Sequence, residues 1–301
     1  MLNRRRFLSI AAAASLLPGA ARAVPVHVET GNALGARVTL RLAHPDAPAL
    51  AAAAMAEVRR LERIFSLYLL DSDLVRLNAD GVLHTPPFEL LECLTLAGAV
   101  HDASGGRFDP TVHALWRAEA MACERGAPLT GAERAAALSR TGWNGVRLAP
   151  ERIDLGPGST LTLNGIAQGY IADRVAAFLA ARGLAEALID TGEMAALDGP
   201  AQAGWPVRLP DGREVGLRRR ALATSAPLGM TFGGDGRTSH ILDPLRGRPA
   251  LPLWRSVSVT APTAAVADAL STAACLLKTR NAVERLCDGF PGARLAAAVA
   301  A

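Results

Sequence analysis

Leu161-Thr-Leu-Asn164-Gly165-Ile-Ala-Gln168-Gly169-Tyr170-Ile-Ala-Asp173-Arg174 reads as a strand end, a tight glycine turn and the first turns of a helix. Apolar residues at Val175, Phe178 and Leu179 carry that helix on to about Arg182. Glycine has no Cβ, so the backbone of such a turn can approach a phosphate or a metal closely. The free N–H groups of the helix start then favour an anion. Downstream, Glu186-Ala-Leu-Ile-Asp190 has the apolar run of a buried strand and leads into Thr191-Gly192-Glu193. Strand, glycine loop, helix and strand together predict one α/β unit, with ligands at strand C-terminal ends.

About one hundred residues later, Ala267-Asp268-Ala-Leu-Ser271-Thr272 follows a helix start at Ala261-Pro262-Thr263. Asp268 and Thr272 are four apart, so they share one helix face. A carboxylate and a hydroxyl on one face suit a hard cation such as Mg²⁺, which takes its other oxygens from water and phosphates. The same pair also suits a plainer role, with Asp268 serving the helix dipole and Thr272 bonding back to a carbonyl.

Other elements follow from pattern. A hairpin is expected around Gly31-Asn32-Ala-Leu34-Gly35, and a helix over Ala47 to Phe65 from apolar positions at Met55, Val58, Leu61 and Phe65. Asp71-Ser72-Asp73 caps a short helix. Tyr68, just before that cap, is either a core aromatic or a platform for a flat heterocycle. A helix over Pro86 to His101 ends at Ser104-Gly105-Gly106. Arg107-Phe108-Asp109-Pro110-Thr111 then starts the next, where orphan N–H groups beside Arg107 would suit a phosphate. Thr130-Gly-Ala-Glu133 opens a further helix with a capping box. Short strands are expected at Val146–Leu148, Ile153–Leu155 and Thr160–Leu163, and mostly β structure from Trp205 to Ser258.

The N-terminus reads differently. Arg4-Arg5-Arg6-Phe7-Leu8, an apolar run from Ile10 to Leu17 and Ala21-Arg22-Ala23 make residues 1–23 a twin-arginine signal peptide. Residues 24–301 are then one exported, periplasmic domain. The signal holds four of the 32 basic residues and none of the 28 acids, so the remainder is electrically balanced. The basic character belongs to the signal and gives no support to nucleic-acid binding. Later apolar runs are short and interrupted by charge, so no transmembrane anchor is expected. Cys93, Cys123, Cys275 and Cys287 show no metal spacing, and Cys93 and Cys275 read as buried apolar residues. Lys278 is the only lysine, which argues against Schiff-base chemistry.

Taken in order, Phe65-Ser-Leu-Tyr68, Ser104-Gly-Gly-x-Phe108-Asp109-Pro-Thr111, Asn164-Gly-Ile-Ala-Gln168-Gly169-Tyr170, His240-Ile241-Leu-Asp243-Pro and Ala261-Pro…Ala267-Asp268-Ala-Leu-Ser-Thr272 resemble the ApbE-type FAD:protein FMN transferases. The exported start is similar to the branch that includes the NosX maturation proteins. The resemblance implies an α+β fold, a single T-fold-related sheet-and-helix domain with an FAD cleft. It implies Mg²⁺-dependent transfer of FMN from FAD to a Thr or Ser hydroxyl of a target flavoprotein, with AMP leaving; the alternatives are a periplasmic FAD-binding or assembly protein without turnover and an Mg²⁺-dependent FAD diphosphatase. The target would belong to an exported or membrane-bound electron-transfer complex. Carried over residue by residue, the Mg²⁺ ligands are the Gly165 carbonyl, Asp268 and Thr272. FAD contacts are Leu34, Tyr68, Arg107, Phe108, Asp109, Thr162, Gln168 and Ile241. His240 is the base that relieves the acceptor hydroxyl of its proton, or, on its own residues, a satisfied loop histidine. The sequence departs from the family where many relatives carry an acid at Thr162, Lys or Glu at Gln168, His at Ser239, and Gly-Gly-Asp at Thr191-Gly192-Glu193.

Overall fold

The computed structural model describes residues 25–199, 202–233 and 236–301; the expected signal peptide lies outside them. Seven strands form one sheet: β1 (Val26–Ala33), β2 (Ala36–Ala43), β3 (Ala187–Asp190), β4 (Met194–Ala196), β5 (Arg220–Ser225), β6 (Trp254–Ala261) and β7 (Arg294–Ala300). Each strand pairs with the next in chain order, and every pairing is antiparallel. The architecture is therefore α+β. The α/β unit expected around the glycine turn is not formed, because β3 pairs antiparallel with β2 and the helix before it crosses the sheet face rather than joining parallel neighbours.

Alternation along the strands gives the sheet two apolar faces. Ile189, Ala195, Ala223, Val257 and Val259 point into the main core, while Leu188, Ala196, Leu222 and Ala297 point the other way. The second face is covered by the hairpin of Trp205–Arg208 and Glu214–Leu217, through Trp205, Val207 and Leu217. The main face carries α1 (Ala47–Phe65), α6 (Ala167–Ala180) and α7 (Ala264–Ala274), numbered with α2 (Asp73–Asp80), α3 (Phe88–Ala103), α4 (His113–Glu124), α5 (Gly131–Leu138) and α8 (Arg280–Asp288). Helix α1 buries Ala51, Ala54, Met55, Val58, Leu61 and Phe65, the spacing of one helical stripe. The capping box at Thr130 and Glu133 and the Ser72 cap of α2 both form.

Two turns differ from expectation. The hairpin β1–β2 closes on only Leu34 and Gly35, both with positive φ (51° and 73°), so Gly31 and Asn32 are strand residues. Two positive-φ residues give the twist that joins antiparallel strands tightly. Leucine is costly there, and its N–H is held by Glu62 Oε1 at 2.7 Å. Thr160–Leu163 is not a strand. Its polar backbone is satisfied instead by Asn78, whose side chain accepts from Leu161 N (2.6 Å) and donates to Leu161 O (2.8 Å), and by the Pro110 carbonyl, which takes Thr162 N–H (2.8 Å).

The helices α6 and α7 lock to each other. A Cβ on Gly169 would lie 2.3 Å from the Ala264 carbonyl oxygen, so only glycine permits this crossing. Asp173 of α6 accepts the first N–H groups of α7, from Ala264 (2.7 Å) and Ala265 (2.9 Å). Asp268 of α7 accepts Gly169 N–H in the first turn of α6. Each helix thus caps the other's positive end, a contribution of about 1 kcal/mol per cap.

Candidate active site

A cleft of 380 Å³ opens where four segments converge. The α3–α4 connection brings Arg107, Phe108 and Asp109; the α6 entry brings Thr162, Gly165 and Gln168; the loop before β6 brings His240 and Ile241; and α7 brings Asp268 and Thr272. Ten residues expected from sequence thus line one cavity. Tyr68 does not. It is 65% exposed and lines an adjoining groove of 420 Å³ that shares Trp116, Thr162 and Asn164 with the cleft. Leu34 lines neither space. It sits in the hairpin turn whose next residue, Gly35, would place a Cβ 3.4 Å from the Tyr68 ring. Its turn buttresses Tyr68.

Local chemistry holds each side chain. Asp109 Oδ1 accepts Thr111 N–H and the Thr111 hydroxyl (2.8 and 2.6 Å), and Oδ2 accepts Trp143 N–H at 3.2 Å. Both of its oxygens therefore build the loop that carries Phe108 and Arg107. His101 Nδ1 donates to the Phe108 carbonyl at 2.9 Å from the α3 side. Arg107 Nη1 donates to the Ser104 carbonyl (3.0 Å), which leaves most of its guanidinium donors for the cleft. His240 Nδ1 lies 2.8 Å from the Met230 carbonyl oxygen. A carbonyl only accepts, so Nδ1 carries the proton, and in the neutral ring Nε2 keeps its lone pair.

At the cleft floor the groups are all oxygen. Asp268 is 3% exposed, and burial pushes its carboxyl up to about 8, opposed by the Gly169 N–H and reinforced by Asp173. Thr272 Oγ1 lies 3.2 Å from Ser225 Oγ, which in turn meets Ser271 Oγ at 2.7 Å. A Cβ on Gly165 would lie 3.1 Å from Thr272 Oγ1 and Cγ2, so the bare Gly165 backbone is what fits against that hydroxyl. Glu193 also faces the cleft. Its Oε2 accepts Thr224 N–H at 3.1 Å, and its carboxyl is held well above the usual range by burial and then by the charge of Asp268. Two desolvated carboxylates beside hydroxyls favour a hard cation. Among the described residues no group of three or more His, Cys, Asp or Glu could hold a metal. A cation here would therefore complete its shell from hydroxyl, carbonyl, water and a bound diphosphate.

Sequence reasoning gave no site role to Thr224, Ser225 or Trp116, and marked Glu193 only as part of the loop where many relatives carry Gly-Gly-Asp. Glu193 had one signal, an acid directly after a strand-end glycine. The serine and threonine of β5 had none, since small hydroxyl residues are common in strands. The four cysteines are free, with only Cys123 exposed.

The α+β domain thus presents one oxygen-lined cleft that holds Arg107, His240 and three carboxylates, with an adjoining groove lined by Tyr68 and Trp116. The chain belongs to the ApbE family, which it matches over residues 34–292. It is 30% identical over 267 residues to a Treponema pallidum protein named FAD:protein FMN transferase, covering 78% of this chain and 73% of that one. Among solved structures it is similar to the apo form of the Pseudomonas stutzeri flavinyl transferase ApbE, with 27% identity, a TM-score of 0.77 and 87% of each chain covered. An ApbE protein of Thermotoga maritima gives 26% identity and a TM-score of 0.78 over 90% of this chain and 93% of that one.

Proposed function

We propose that this protein transfers FMN from FAD to a Thr or Ser hydroxyl of a target flavoprotein, releasing AMP, with Mg²⁺ required. The observation that carries the reading is the convergence of Arg107, Gln168, His240, Asp268 and Thr272 on one cleft in a member of this family. Gly165 (through its carbonyl), Asp268 and Thr272 are the residues that would hold the cation. Bound there, it would neutralise diphosphate charge.

The chain's own groups do the rest. Arg107 binds the diphosphate. Phe108 and Ile241 form apolar walls against the flavin portion, and Thr162 and Gln168 offer neutral donors where many relatives carry charge. Tyr68 stacks the adenine in the adjoining groove. Nε2 of His240 accepts the proton of the acceptor hydroxyl as its oxygen bonds to the FMN phosphorus. The bond from that phosphorus to the AMP oxygen breaks, and AMP leaves as a phosphate monoester. Burial of the cleft floor strengthens these charge interactions. Residues 1–23 route the protein to the periplasm through the twin-arginine pathway, where the target is an exported or membrane-bound electron-transfer protein. The NosX-like branch is the subgroup this start favours.

The test is purified protein with FAD, Mg²⁺ and a peptide bearing one acceptor Thr, read by mass spectrometry. A peptide heavier by FMN, with AMP in equal amount, is expected. Intact FAD and unlabelled peptide would overturn the enzymatic reading. FMN and AMP without labelled peptide would replace transfer by hydrolysis.

A further inference from the structure

A second groove, of 570 Å³, adjoins the cleft and shares Arg107 and Leu276 with it. It shares no lining residue with the groove of Tyr68. Its rim carries three exposed cations, Arg246, Arg248 and Lys278, none of which forms an ion pair with another described residue. Interleaved with them are the exposed side chains of Leu245, Leu251 and Leu253. The one acid of the groove, Asp243, has its Oδ1 engaged by the N–H groups of Leu245 and Arg246 (3.0 and 3.2 Å). Exposed apolar side chains grouped beside unpaired cations mark a protein-binding surface rather than ordinary solvated surface. No aromatic ring lines this groove, in contrast to the groove of Tyr68 and Trp116, so it lacks the wall a flat heterocycle stacks on.

We propose that this groove docks the acceptor protein, through a segment that sets carboxylate and leucine-like side chains next to the hydroxyl to be modified. The proposal rests on the transferase reading. In-line displacement requires the acceptor to enter opposite the departing AMP. With adenine in the Tyr68 groove, an acceptor entering past Arg107 and Leu276 meets the cleft through a separate part of its wall. Three cations select an acidic segment over a basic one, and the three leucines supply the apolar contact that holds it once docked.

Two short fluorescein-labelled peptides test this. One carries a single Thr flanked by Asp and Leu, and the other has Lys in place of each Asp. Anisotropy is measured with the FAD-loaded full chain without added cation, and labelling is then followed after Mg²⁺ is added. The Asp peptide is expected to bind roughly tenfold tighter than the Lys peptide or more, less so at high salt. The variant Arg246→Glu/Arg248→Glu/Lys278→Glu should reverse that preference while FAD fluorescence quenching is unchanged. Restored binding of the Lys peptide to the variant excludes misfolding as the cause. Equal binding of both peptides to the wild-type chain, or an unchanged preference in the variant, overturns the docking surface. If both peptides are labelled equally, transfer stands and the groove assignment falls. If the Asp peptide binds selectively but is never labelled, the groove stands and transfer falls.

Discussion

Asp268 Oδ2 lies 3.3 Å from the backbone nitrogen of Gly169, ninety-nine positions earlier in the chain. One buried carboxylate thereby caps α6 and stands at the floor of the cleft. A structural and a chemical task are fused in the same side chain, and substitutions can separate them.

Asp268→Asn keeps an oxygen that can accept the Gly169 N–H but removes the negative charge. The variant should fold. Its transfer rate should fall by on the order of a hundredfold or more, the scale of losing one electrostatic stabiliser of a reacting phosphoryl group. Calorimetry should show no Mg²⁺-dependent rise in melting temperature, whereas the wild type shows one. A variant that retains that rise would remove Asp268 from the cation set.

Gly169→Ala tests the helix crossing. The added methyl would sit 2.3 Å from the Ala264 carbonyl oxygen and 2.7 Å from Ala265 N, and neither backbone atom can step aside alone. A loss of about 3 kcal/mol or more is expected in urea unfolding. Gly131→Ala is the matched control. It opens α5, meets nothing within 4 Å, and should be neutral or slightly stabilising.

Stability of the cation-free protein should fall as pH rises. The Asp268 carboxyl moves from its ordinary 3.8 up to about 8, and Asp173 rises to about 6 through burial despite two N–H bonds. Raised acids keep a proton in the folded state that the unfolded chain releases. Their stabilising effect is therefore complete below the unfolded value and lost as pH climbs through the folded one. Each unit of pH in that window costs about 1.4 kcal/mol per fully retained proton. The urea midpoint should drop between about pH 5 and 8, and added Mg²⁺ should restore more of it at the alkaline end, since a ligand carboxylate must be deprotonated. Asp268→Asn should flatten the dependence. A midpoint that rises with pH over that window would contradict the burial of these acids.

What could be read from sequence was the local chemistry. The stripe of α1 and the i,i+4 pair Asp268–Thr272 depend on neighbours along one helix, and both came out as expected. The family motifs named ten residues that the fold does bring to one cleft. The misreading at Leu161–Leu163 has a physical source. The apolar alternation does bury Leu161 and Leu163, but it cannot say whether a sheet or the side chain of Asn78 satisfies the backbone. Gly169 read only as a residue in the first turns of a helix, yet its constraint comes from Ala264 on another helix. The same long-range dependence hid the Asp173 cap of α7 and the role of Glu193, whose surroundings are set by β5 and α7 rather than by its sequence neighbours.

Tyr68 should control affinity rather than rate. Its exposed ring stands over the groove joined to the cleft through Trp116, Thr162 and Asn164. Stacking of this kind contributes about 0.5–1.5 kcal/mol. Tyr68→Ala should raise KM for FAD roughly two- to tenfold and leave kcat near the wild-type value, with Tyr68→Phe close to normal. A fall in kcat at unchanged KM would place the reacting phosphorus, not the adenine, beside this ring.

His240 gives the sharpest test of chemistry against architecture. The Met230 carbonyl fixes the proton on Nδ1, so Nε2 is the free base of the neutral ring. His240→Ala removes that base and leaves the Asp268–Thr272 floor in place. Transfer should slow by roughly a hundred- to ten-thousandfold, while FAD quenching and Mg²⁺-dependent melting stay as in the wild type. His240→Gln offers a stricter comparison. Its amide can still donate to the Met230 carbonyl and hold the loop, yet it cannot accept a proton near neutral pH. Equal damage in Ala and Gln variants assigns the effect to proton transfer. Recovery in the Gln variant would assign it to loop position, and a wild-type rate in both would remove His240 from the reaction.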